Sequence, residues 1–105
     1  MITASLVTYH TRPSDMIRLL ECVLKSNISV FYIIDNSKDD SLKQYTIGYD
    51  RVKYIKSENL GFGHGHNIGI KKAFETESKY HVVINPDIYW SDNVIEELEK
   101  FMDNN

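Results

Sequence analysis

VVINPDIYW, residues 82–90, runs from three β-favouring apolar residues straight into Asn85-Pro86-Asp87 and then into two aromatics. Val82, Val83 and Ile84 read as a buried strand, and Asn, Pro and Asp are turn formers for separate physical reasons. A turn alone would account for an amide and a carboxylate on either side of a stiff proline. Whether it does more depends on where the other strands end.

Working outward, the same signal recurs. Ile2–Thr8, with Ile2, Leu6 and Val7, reads as a short, largely buried strand. SVFYIID (29–35) is a second apolar run, stopped by Asp35-Asn36-Ser37, and RVKYIKS (51–57) alternates with Lys as a strand near a sheet edge does. Between them, Pro13, Ser14 and Asp15 supply helix-start chemistry, and Met16, Ile17, Leu20, Val23 and Leu24 recur at helical spacing. SLKQY (41–45) is at most one helical turn. After the glycine-rich stretch, IKKAFETESK (70–79) continues as a helix with Ile68, Ala73 and Phe74 inward. A last helix, capped by Ser91 or Asp92, carries Val94, Ile95, Leu98, Phe101 and Met102 as one stripe.

The order β-α-β-turn-β-α-β-α predicts an α/β fold: a three-layer α/β/α sandwich on a mostly parallel, Rossmann-like sheet, forming a single domain over residues 1–105. In such sheets ligands bind outside the carboxyl ends of the strands, where strand order reverses. All four strands here end in polar clusters: Thr8-Tyr9-His10, Asp35-Asn36-Ser37, Asn59-Leu60-Gly61 with the glycines after it, and Asn85-Pro86-Asp87. The turns at the opposite edge, LKSNIS and FETESKY, are plain. That asymmetry favours a binding edge over generic loops.

Each cluster has a structural and a functional reading. Tyr9 is either a core-edge aromatic or a ring that stacks on a nucleobase. Asp35 either caps its own turn or accepts from a base N–H or a ribose hydroxyl. Gly61, Gly63, Gly65 and Gly69 are too many for one turn, and glycines let backbone approach a ligand whose anionic oxygens meet a helix start. The stretch nonetheless lacks the third glycine of the dinucleotide fingerprint and the Gly-Lys-Ser/Thr of a P-loop. His64 and His66, with no Cys or Glu-rich helix nearby, read as polar loop side chains, one of them near a ligand, rather than as a zinc pair. Asp87, on a proline-stiffened turn, suits Mg²⁺ or Mn²⁺, which take one or two oxygens from protein and the rest from phosphate and water.

Composition bounds the function. At 105 residues the chain can bury roughly two-thirds of its unfolded surface. Its net charge of −3 argues against a nucleic-acid partner, and an anionic ligand would need a metal or backbone N–H groups. Cys22 is the single cysteine, so no intrachain disulfide forms and a reducing compartment is expected. MITASLVTYH has no basic n-region or long apolar core, and no run is long enough for a transmembrane segment. A nucleotide-binding module without chemistry and a plain interaction domain stay open at this level.

Taken together, SLVTYH, IIDNSKDDS (33–41), ENLGFGHGHNIGI (58–70) and VVINPDI (82–88) resemble the donor-binding half of the family 2 glycosyltransferases, inverting enzymes of GT-A fold, and in detail their rhamnosyltransferase-like branch of bacterial surface polysaccharide synthesis. The resemblance spans residues 2 to about 100. It implies a nucleoside diphosphate sugar as donor and a saccharide or lipid-linked saccharide as acceptor, in the cytoplasm or at the inner face of the membrane. It places Thr8 and Tyr9 beside the base, with Asp35 in contact with it, and Gly61, His66 and Asn67 in the donor site. Asn85 falls at the ribose-side position and Asp87 at the metal ligand. The sequence departs from the family pattern where Asn85 replaces a carboxylate and where His66 replaces an Arg that contacts uracil. Family members carry their acceptor strands and base beyond the position of Asn105, so the chain is expected to be a fragment, a truncated product or one half completed by a partner. It is then expected to bind weakly and catalyse little alone, and to self-associate through the exposed sheet edge.

Overall fold

A computed structural model describes residues 1–58, 61–90 and 93–105, apart from the side chain of Phe62. The strands are β1 (Ile2–Thr8), β2 (Ile28–Asp35), β3 (Val52–Lys56) and β4 (Tyr80–Ile84); the helices are α1 (Pro13–Leu24), α2 (Phe62–Glu75) and α3 (Val94–Asp103). A 3₁₀ turn, Ser41–Tyr45, joins β2 to β3. The sheet is all parallel in the order β3-β2-β1-β4. The chain thus walks outward from β1 to β3 and then returns to the other side of β1, so strand order reverses between β1 and β4.

Every residue of β1 is buried, as a strand covered on both faces must be. Ile2, Ala4 and Leu6 join Phe31, Ile33, Met16, Leu19, Val23 and Ile95 in the larger core, beneath α1 and α3. Val7, Tyr32 and Ile34 form a smaller one against Ile68 of α2. The three layers follow from this split, and the α/β sandwich read from the sequence is the one observed. Thr8, Asp35 and Lys56 lie in one row across β1, β2 and β3, and Ile84 is level with Leu6, so the four strands end together along one edge.

Several details differ from the sequence reading. The helix expected from residue 70 begins at Phe62, because the glycine stretch is itself helical. Gly65 and Gly69, one turn apart, face the sheet: a Cβ on Gly65 would stand 2.7 Å from Val7 Cγ2, and one on Gly69 would overlap Ser5. These two glycines let α2 lie close on β1 and are not a ligand loop, and His64 and His66 are helical, not loop, residues. Phe74, expected inward, is 85% exposed, and Ile17 also faces solvent while Leu19 takes its place in the core. On α3 only Ile95 of the stripe is buried; Leu98, Phe101 and Met102 are exposed. The proposed caps Ser91 and Asp92, like Asn59 and Leu60, lie outside the described residues. Asn93, in the left-handed region at φ 73°, leads into α3 without a side-chain cap bond.

Candidate functional site

A crevice of about 760 Å³ opens at the point of strand reversal, walled by the ends of β1 and β4, the start of α1 and one face of α2. Its floor and rim carry Tyr9, His10, Arg12, Asp15, His66, Val83, Asn85, Pro86 and Asp87. Asn85-Pro86-Asp87-Ile88 is a β-turn closed by Ile88 N–H donating to the Asn85 carbonyl at 3.2 Å. Proline at its second position presets φ, so Asp87 is held at the third, exposed at the crevice. The turn reading and the site reading of this stretch are therefore compatible.

Across the crevice, Tyr9 is 45% exposed and meets His10 edge to face, ring centroids 4.7 Å apart. His10 sits at φ 52° and its N–H donates to Ser37 Oγ at 2.7 Å, while its Nε2 accepts from Lys38 N–H at 3.2 Å. These bonds tie the end of β1 to the end of β2 and fix the ring on which Tyr9 leans.

Asp35 takes a different place. It is fully buried, its Oδ1 accepting from Thr8 Oγ1 and Ser37 N–H at 3.0 Å each and its Oδ2 from Tyr54 O–H at 2.5 Å. Burial pushes its pKa up, but the bonds from Ser37, Tyr54 and Thr8 outweigh it and hold the carboxyl below its usual range. The Tyr54 phenol is raised well above 10 by burial and then by that carboxylate. Thr8 is equally buried, and neither it nor Asp35 lines the crevice. Together with Lys56, whose amine donates to the Ser37 carbonyl, they brace the ends of β1, β2 and β3 behind Tyr9.

His66 is half-buried on the α2 wall, its pKa lowered by burial, and its Nδ1 has no partner among the described residues. It is thus not the cation that an Arg would be at this position. Gly61, at φ 98° before α2, and Asn67, on the exposed face of α2, do not reach the crevice. The sequence reading missed Arg12 and Asp15, which pair at 3.1 Å, and it missed His81. Their signal was positional: residues just past a strand that ends at a site, and a histidine in the alternation of β4.

His81 belongs to a seam beneath α2 whose proton positions are determined. Ser78 Oγ–H donates to the Tyr80 carbonyl at 2.7 Å, so Thr3 Oγ1 must donate to Ser78 (2.9 Å). His81 Nδ1–H must then donate to Thr3 (2.8 Å), leaving Nε2 to accept from Ser5 Oγ–H (2.9 Å). Burial, and then His66 nearby, lower its pKa, which agrees with the neutral ring.

One guanidinium and two carboxylates face the crevice, so an anionic ligand gains little from its charge without an added cation. Among the described residues there is no cluster of three or more His, Cys, Asp or Glu. Asp87, with Asp15 on the same crevice, gives hard oxygen donors in the small number that Mg²⁺ or Mn²⁺ takes from protein, so the donor set fits such an ion. No helix among the described residues is long and apolar enough to cross a membrane.

Comparison with known proteins agrees with this geometry. Residues 5–105 match the model of the family described as glycosyl transferase family 2. The chain is also similar to the low-salt glycan biosynthesis hexosyltransferase Agl10 of Haloferax volcanii, 33% identical over 75 residues, which are 70% of this chain and 24% of that protein. The chain therefore spans about a quarter of the length of the curated relative it matches. With the match running through all four strand ends, the chain belongs to glycosyl transferase family 2.

Proposed function

We propose that this chain forms the donor-binding part of an inverting glycosyltransferase that uses a nucleoside diphosphate sugar. The observation that carries the reading is that Tyr9 and Asp87, on different strands, open onto the same crevice at the reversal of strand order. Tyr9 offers a ring face to the base, Asn85 a side-chain amide to the ribose, and Asp87, aided by Asp15, would hold Mg²⁺ or Mn²⁺. Such an ion supplies positive charge against the leaving diphosphate. Asp35 acts from behind, keeping the strand ends level, and a base reaches its carboxylate only if Thr8 or Tyr54 moves aside. Transfer to an acceptor hydroxyl needs a general base; no crevice residue is assigned that role.

The Agl10 likeness favours a hexosyl donor, and the family resemblance favours a saccharide or lipid-linked acceptor in surface polysaccharide synthesis at the cytoplasmic face of the membrane. We also infer that two copies associate along the free edge of β4. The donor reading is tested by titrating UDP, dTDP and GDP with and without Mn²⁺. One nucleotide should bind only with the metal, and Asp87→Ala should remove that dependence. Metal-independent binding, or none by any nucleotide, overturns the reading. Hydrolysis of the matching nucleotide sugar then separates an enzyme from a binding module.

A further inference from the structure

The turn that carries Asp87 does not stand alone. The segment after it, Ile88-Tyr89-Trp90, is laid along α1 by two contacts. The Arg18 guanidinium stacks over the Tyr89 ring, 4.5 Å from its centroid, and Cys22 Sγ–H donates to the Trp90 carbonyl at 3.4 Å. Trp90 then packs on the edge of the larger core. Arg18 and Cys22 are one turn apart on α1, so a single rigid helix face receives both residues.

α1 is also the helix whose first turn carries Asp15 into the crevice, while Tyr89 lies only two residues after Asp87. A cation held over an aromatic face is directional: the guanidinium must sit above the ring. The stack therefore fixes where the exit of the β-turn runs relative to α1, and through the turn it fixes the distance between the two carboxylates. Tyr89 is 60% exposed, and the hydrophobic effect alone would give such a ring little reason to stay at this place.

We propose that Arg18 and Tyr89 form a clamp that positions the Asp87 turn for metal and diphosphate, with Arg18 as a positioning residue that touches neither. The proposal rests on the donor-site reading given above, and it has a readout independent of it. Ile88 N–H closes the turn, so its hydrogen exchange reports the turn's opening. Trp90 is the only tryptophan, so its fluorescence follows quenching by Mn²⁺ bound nearby.

In the full chain, Arg18→Ala and Tyr89→Leu should each speed Ile88 exchange about two- to fivefold, as loss of an exposed cation–π contact predicts. Each should weaken Mn²⁺ binding in the presence of UDP by a similar factor, with the melting temperature nearly unchanged. The double variant should be no worse than either single one, and Tyr89→Phe, which keeps the ring, should behave as wild type. Unchanged Ile88 exchange in both single variants overturns the clamp. Faster exchange with an unaltered Mn²⁺ titration, in a wild type that binds, overturns its positioning role. Should the wild type bind neither Mn²⁺ nor UDP, that result counts against the donor-site reading, and faster exchange in the variants still supports the clamp.

Discussion

At the scale of single residues, the same side-chain types that mark a binding edge also build the edge, and only geometry separates the two uses. Asp87 and Tyr9 face the crevice, whereas Asp35, equally polar and equally terminal on its strand, is spent on internal bonds. From sequence both readings of Asp35 were open, because nothing local says whether a carboxylate at a strand end turns inward. Its partner Tyr54 sits on a neighbouring strand, 19 residues away. Tyr54→Phe removes one donor to a buried carboxylate and should cost about 1.5 kcal/mol of stability in urea unfolding. It should also raise the Asp35 pKa. Because the folded carboxyl lies below its unfolded value, its contribution is present above pH 3.8 and disappears as pH falls through the folded value. The acid limb of the stability curve should therefore move to higher pH in Tyr54→Phe, and an unmoved limb would show that the phenol does not hold the carboxylate.

At the scale of elements, the strands were legible almost to the residue, since β-favouring runs closed by turn formers leave little ambiguity. The start of α2 was not. Glycine has poor helix propensity, so a local reading of GFGHGHNIG ends in a loop, and what overrides it is tertiary: the helix must lie against Val7 and Ser5 with no Cβ between. The glycines are therefore separable by substitution. Gly63→Ala, with nothing within 4 Å of the added methyl, should stabilise by up to about 1 kcal/mol, whereas Gly69→Ala should destabilise by about 1–2 kcal/mol once overlap with Ser5 is set against the same propensity gain. Equal effects at the two positions would refute close packing as the reason for Gly69. The seam under α2 adds a pH dependence. His66 and His81 both have folded pKa values below the ordinary 6.5, so neutral rings favour the fold, and their contribution is complete above that value and lost as pH drops below it. Melting temperature should fall between about pH 6.5 and 5, and the fall should shrink in a His81→Gln variant, a change seen by calorimetry across that range.

At the scale of the whole molecule, the parallel sheet and its binding edge were legible from the alternation of elements and from the contrast between polar and plain turns, but strand order was not. No local signal states that the chain returns past β1 after β3, yet this return creates the crevice and leaves β4 at the end of the described sheet. Beside β4, a groove of about 500 Å³ runs against α3, lined by Tyr80, Val82, Val83, Leu98 and Met102. Val83, Leu98 and Met102 are each about half exposed, at 49%, 49% and 53%. Unpaired strand N–H and C=O groups next to continuous apolar surface are the two ingredients of edge pairing. Two copies meeting β4 to β4 would run antiparallel about a two-fold axis, pairing backbone groups while each α3 covers the other's groove. Lys79 and Glu99, on the groove's rim in every copy, give such a contact opposite charges to match. Sedimentation velocity should show a dimer fraction that grows with protein concentration, and Leu98→Lys, placing a charge in the buried seam, should weaken it at least about tenfold, the effect of roughly 1.4 kcal/mol. A single monomeric boundary at every concentration would remove the association, and an unaffected dimer in Leu98→Lys would move it away from this edge.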